Sequence, residues 1–165
     1  MRFYLVLLCI ACGLSVQAQS SVRTQAVRMA QAFVRADYPT FIRFMYPRLV
    51  EAAGGKAKLS QALASAQTEL NRRGMSVSNI TVGEPSRLYH QGKELQCILP
   101  QRTELLATQG HFAINSALIG ISDDNGVTWT FLDTSNKRRE DILKLLPQLD
   151  PGIVIPPASA PERIP

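Results

Sequence analysis

An α+β fold is predicted by three observations. The apolar period is helical over residues 21–73, changes to a period of two from Met75, and becomes helical again only near Lys137. The strand-like half is interrupted by Gly-containing turns at close intervals, so its strands are consecutive and antiparallel. One of those turns, Asp123-Asp124-Asn125-Gly126, lies between β-prone runs within GISDDNGVTWTFLD, residues 120–133. These signals predict N-terminal helices packed on an antiparallel β-meander, then a short C-terminal helix and a Pro-rich tail.

The chain has 165 residues, of which 45% are hydrophobic and 19% charged, values that suit one globular domain with a real core. Residues 1–18 have the pattern of a secretory signal peptide. Arg2 supplies the positive start, Tyr4 to Leu14 is apolar, and Val16-Gln17-Ala18 gives small residues before a cut ahead of Gln19. A rival reading attaches lipid at Cys12, between Ala11 and Gly13. Cleavage is favoured, because Cys9 stands where the lipid signal usually has leucine. Either way the sequence predicts export, to the periplasm or beyond. No later segment is apolar enough to span a bilayer. Cys9 and Cys12 leave with a cleaved leader, so Cys97 is alone and makes no internal disulfide. Its place in an apolar run predicts a buried small hydrophobe.

Without residues 1–18 the chain keeps 17 basic and 13 acidic residues, a net +4. The densest basic spots, Arg72-Arg73 and Lys137-Arg138-Arg139, fall at helix ends, where cations suit the helix dipole. No nucleic-acid partner is predicted from so mild an excess.

The domain is expected to span residues 19–150. Its first helix runs from Ser21 to Ala36, with Val22, Ala26, Met29, Ala30 and Phe33 on one face and Ser20 or Ser21 as cap. A second helix in DYPTFIRFMYP is capped by Asp37 and broken at Pro47, with a further turn before Gly54-Gly55. A third spans Lys56 to Arg73. Its Leu59, Leu63, Ala66 and Leu70 form a narrow stripe expected to face a sheet, and Gly74 is its left-handed stop.

Strands are predicted at Met75–Val82, Ser86–His90, Lys93–Leu106, His111–Ser122 and Val127–Asp133. Pro100 inside the third implies an edge or a bulge. A last helix spans Lys137 to Leu146, with Ser135 or Asn136 as cap and Ile142, Leu145 and Leu146 facing inward. In residues 151–165 lie half of the ten prolines, which predicts an extended tail, mobile after Ala158.

Ser122, Asp124, Gly126, Thr128 and Trp129 resemble the S-x-D-x-G-x-T-W pattern of Asp-box hairpins, known from sialidase-type propellers. There the Asp ties the turn and the Trp packs under it. One copy in this length cannot build a propeller. The order of elements resembles the nuclear transport factor two-like superfamily, an α+β cone with a cystatin-like fold. DYPTFIRFMYPRLVEAAGG, ITVGEPSRLYHQGKELQCILP and ISDDNGVTWTFLD are also similar to a group of small exported bacterial proteins in that superfamily, generally without assigned activity. The resemblance implies a curved, cone-like sheet. It does not choose among isomerases, dehydratases, hydrolases and non-catalytic binding domains.

Catalytic signals are sparse. His90 lies beside a Gln-Gly turn and is expected to be exposed. His111 alternates with Ala113, Asn115, Ala117 and Ile119, a face that could line a pocket, so His111, Asn115 and Tyr46 form the best catalytic candidate. A hydrogen-bonded structural histidine is the plainer reading. No metal or cofactor motif is present, and turn chemistry accounts for Asp123-Asp124-Asn125 without calcium. The sequence therefore predicts an exported, non-enzymatic domain. The outer sheet face or the mouth of the cone would take a small apolar ligand or a second copy of the chain, making a homodimer. The alternative is a lyase, isomerase or hydrolase working in the cone. A third reading docks the Pro-rich tail on a larger envelope-associated complex.

Overall fold

The structure is a computed structural model describing the backbone of residues 3–165 and the side chains of residues 18–165. It has helices α1 (Phe3–Val34), α2 (Tyr38–Arg43), α3 (Pro47–Ala52), α4 (Lys56–Arg72) and α5 (Arg139–Leu145). The strands are β1 (Ser76–Val82), β2 (Tyr89–Gln91), β3 (Glu94–Ala107), β4 (Gly110–Ser122), β5 (Thr130–Asp133) and β6 (Glu162–Ile164). The fold is α+β, with N-terminal helices on a curled antiparallel half-barrel and a short helix near the C-terminus.

The hairpin of β3 and β4 is the backbone of the sheet, paired from Leu95–Ser122 to Ala107–Gly110. On the far side of β3 lie β1 and then β2, and on the far side of β4 lie β5 and β6. A register shift between Val77 and Asn79 adds twist to β1. Pro100 lies at no bulge, but at a local edge within β3. It pairs with Ala117 in a central strand, at the gap where β1 has ended and β2 has not begun. There its missing N–H costs no ladder bond, and its carbonyl accepts from Gly83 N at 2.8 Å.

The two faces of the sheet bury different things. On one, Val22, Ala26 and Met29 of α1 pack against Cys97, Leu99, Leu118, Trp129 and Phe131. Gly120 permits this approach, since a Cβ there would meet Cys97 Sγ and Val22 Cγ2 at 3.1 Å. On the other, Ile142 and Leu146 pack with Leu149 and Ile153 over Ile98, Ala117, Ile119 and Leu132. The outer face, offered by the sequence to a ligand or second copy, thus carries the chain's own C-terminal segment. Buried Gln96 pins that segment, donating to Gln148 O at 3.0 Å and accepting from Asp150 N at 2.9 Å. Residues expected to be mobile pair with β4. Ser159 bonds both backbone groups of Asn115, and Glu162–Ile164 lies against His111–Ala113.

Several helix details differ from expectation. Ser20 and Ser21 lie inside α1 and do not cap it, because the helix continues before them. It ends at Val34, and Ala36 takes a left-handed φ of 56° at a strain of about 1–2 kcal/mol. Helix α4 buries no side chain fully. Its Leu59 and Leu63 lean on Tyr38, Ile42 and Val50 of the neighbouring helices, not on the sheet, because α2 and α3 stand beside it. Asp37 caps α2 through Thr40 N and Gly74 closes α4 at φ 68°, both as read from sequence. Neither Ser135 nor Asn136 caps α5, whose N-cap is Arg138; the Ser135 amide is committed to Asp133.

Candidate functional site

The turn after β4 is held by side chains. Asp124 Oδ1 accepts from the amides of Val127 and Thr128 at 3.1 and 2.8 Å, and Oδ2 from the Thr128 hydroxyl at 2.6 Å. Ser122 Oγ donates to Asp124 and accepts from Gly126 N. Trp129 is 1% exposed and its indole donates to Gly126 O at 3.0 Å. Asn125 and Gly126 take the left-handed φ values of 60° and 86° that the reversal needs. Because Asp124 captures the Val127 and Thr128 amides, β5 starts at Thr130, three residues later than expected. Its carboxylate accepts four hydrogen bonds from within the turn, so this hairpin is a structural device.

A cleft of about 210 Å³ opens between α1, the following helix and the concave face of the sheet. Met29 and Phe33 of α1, Phe41 of α2, Met45, Ile80 of β1 and Phe131 of β5 make it mainly apolar. The Phe33 and Phe41 rings pack as a tilted pair, with centroids 5.0 Å apart and planes at 56°. The helix face that brings Met29, Ala30 and Phe33 here is the apolar stripe legible in the sequence. Strand alternation brings Gln101 and Thr103 from β3 and Asp133 from β5 to the same side.

The polar end of the cleft is a small network. Gln101 Nε2 donates to Asp133 Oδ2 at 3.2 Å and to Ser116 Oγ at 3.4 Å. Asp133 Oδ1 accepts from Ser135 N at 2.7 Å. Asp133 is half-buried, is the only charged residue lining the cleft, and makes no ion pair among the described residues. Each carboxylate oxygen retains capacity for another donor. A ligand in this cleft would meet carbon on most sides and a carboxylate at one end.

The residues expected to form a catalytic group are dispersed. His111 is exposed near the β6 strap, and Asn115 is exposed on the same edge. They are four residues apart on one strand, roughly 13 Å. Tyr46 packs with Ile119 and Ile121 towards the other end of β4, eight or more residues from His111, or roughly 26 Å. Burial pushes its phenol above its usual pKa, and the Glu94 carboxylate adds to that, which makes it a poor proton donor near neutrality. The face expected to line a pocket is the one under α5; the cleft is on the opposite face, because Gly120 lets α1 approach there. His90 is exposed, as expected.

Gln101, Ser116 and Asp133 were not singled out from sequence. The available signal was polar residues on the inward alternation of strands otherwise carrying Leu99, Leu118 and Phe131. The acid that borders the cleft, Asp133, stands on β5, the strand next to the one that carries His111. We expect His111→Ala and Asn115→Ala each to change stability by less than about 0.5 kcal/mol, as exposed substitutions usually do. They should also leave binding in the cleft unaltered, measured by chemical denaturation and titration; a weakened titration would restore them as site residues.

No protein-family model, curated protein or solved structure matches this chain. Among the described residues, no group of three or more His, Cys, Asp or Glu side chains is placed to hold a metal ion. Nor is any helix among them long and apolar enough to cross a membrane. The Cys12 attachment reading, and all of the cleavage pattern except Ala18, lie outside the residues with described side chains.

Proposed function

We propose that this chain is an exported, non-enzymatic domain that binds a small, mainly apolar ligand between α1, α2 and the concave sheet face. The observation that carries the reading is the cleft of about 210 Å³ walled by Met29, Phe33, Phe41, Met45, Ile80 and Phe131. A cavity of roughly 150 Å³ holds benzene, so the occupant is of one-ring or short-chain size. That is below the volume of most drug-sized sites. Export is part of the proposal and rests on the leader pattern of residues 1–18, with cleavage before Gln19. The likeness to the nuclear transport factor two-like cone also belongs here. It is supported by the order of helices and curled sheet, and by the position of the cleft inside the curl.

The test is an amide NMR titration with indole. Saturable shifts should cluster on Phe33, Met45, Ile80 and Phe131, and Ala30→Phe, which fills the cleft, should abolish them while the fold is retained. Saturable shifts confined to the α5 side of the sheet, or none anywhere, would sink the reading.

Asp133 favours a second reading, in which the same cleft is catalytic and its carboxylate takes a proton from bound substrate. Both oxygens already accept hydrogen bonds, which weakens it as a base. This reading fails if compounds that bind the cleft are recovered unchanged, by mass spectrometry, after prolonged incubation.

A further inference from the structure

The polar end of the cleft narrows the class of ligand. From this site we infer that the occupant is a small organic cation, a primary ammonium group on a one-ring or short alkyl body. The inference rests on the cleft being the binding site, and adds a charge to what binds there.

Three features point to a cation. Asp133 is the only charged residue lining the cleft and has no ion-pair partner among the described residues. The two groups that hold it, the Gln101 amide and the Ser135 amide, are neutral donors that orient the carboxylate without cancelling its charge. An ammonium has three donors and no acceptor, so it can use the remaining lone pairs of Asp133 in charge-assisted hydrogen bonds. An anion would meet an unopposed carboxylate at the one polar end, and an uncharged hydrocarbon would leave that carboxylate against carbon. The third feature is the wall. Phe33, Phe41 and Phe131 line the same space, and ring faces attract organic cations.

The net charge, +4 without residues 1–18, does not oppose this at close range. At physiological salt the screening length is about 8 Å, so a carboxylate in contact with the ligand outweighs distant surface cations. The charge should instead slow the approach of a cation slightly.

The experiment compares three ligands of one shape on the unaltered protein by calorimetry: 2-phenylethylammonium, 2-phenylethanol and phenylacetate. The ammonium should bind at least about tenfold tighter than the alcohol, in line with the greater strength of charge-assisted bonds, and phenylacetate should not bind measurably. In Asp133→Asn the preference for the ammonium over the alcohol should disappear. If the ammonium and the alcohol bind equally, or phenylacetate binds best, the cation inference is overturned and the apolar cleft stands. A preference for the ammonium that survives in Asp133→Asn also overturns it. If none of the three gives a saturable signal, the cleft reading fails together with it.

Discussion

Trp129→Ala is expected to lower the unfolding free energy by about 3–5 kcal/mol, the usual range for removing a buried aromatic side chain. Trp129 is 1% exposed and packs among Ala18, Val22, Leu95 and Phe131, so truncation opens a cavity where α1 meets the sheet. It also leaves Gly126 O without its indole partner and loosens the turn that leads into β5. Asp124→Ala should cost less, about 1–2 kcal/mol, because the Val127 and Thr128 groups it releases are exposed and can turn to water. Urea denaturation of both variants checks the order. Some burial pushes the Asp124 carboxyl up, but hydrogen bonds from Thr128, Ser122 and Val127 outweigh it and hold the group below its usual pKa. A depressed carboxyl contributes stability that is present above its unfolded value near 3.8 and is lost as pH falls through the folded value. The gap between the unaltered protein and Asp124→Ala should therefore close below about pH 4. A gap that persists at pH 2, or cleft binding lost in Asp124→Ala with the denaturation midpoint unmoved, would mean that the turn does something other than hold the hairpin.

The hairpin was legible because its chemistry is local. Ser122, Asp124, Gly126 and Thr128 lie within seven consecutive residues, and each has a physical job in the turn. The helical faces and strand alternation were legible for the same reason. What the sequence concealed depends on which face of the sheet meets which helix. The step that decides it is Gly120, a residue without a side chain, opposite Val22 and Cys97 almost a hundred residues and about twenty residues away in the chain. Once α1 takes that face, His111 and Asn115 fall on the opposite side, and Gln101 and Asp133 line the cleft, with Ser116 bonded to Gln101. Composition misled at the C-terminus as well. Proline-rich sequence reads as tail, yet Ile153 is buried beneath α5, and Glu162–Ile164 needs only backbone groups to pair with the β4 edge that β5 leaves open. The lone acid of the cleft closes a strand four residues long, too short for its alternation to announce which way it faces.

Cys97 should be almost inert to alkylation in the folded protein. Its thiol is fully buried between α1 and the sheet, and burial pushes its pKa up to about 12, with the Gly120 amide drawing it partly back. Burial and the raised pKa both act against reaction, since the reagent needs access and only the thiolate attacks its carbon and displaces iodide. Labelling must then await opening. For a domain of about 5 kcal/mol stability the open fraction is roughly 10⁻⁴, so iodoacetamide at pH 8 should modify Cys97 at least about a thousandfold more slowly than in urea. Mass mapping of the Cys97 peptide follows this even if other thiols are present. The same group makes stability depend on alkaline pH. A thiol raised from 9.0 to about 12 keeps its proton in the folded state while the unfolded chain loses it. The contribution is whole below pH 9 and is lost as pH rises towards 12, at a slope approaching about 1.4 kcal/mol per pH unit. Tyr38 and Tyr46, also raised by burial, add to the loss above pH 10, so the unaltered protein alone does not isolate the thiol. Cys97→Ala does. It removes one slope and leaves the tyrosines, so it should lose less stability than the unaltered protein between pH 9 and 11. Equal losses in the two proteins, or rapid labelling of the native fold, would place Cys97 outside the core and α1 elsewhere than on Gly120.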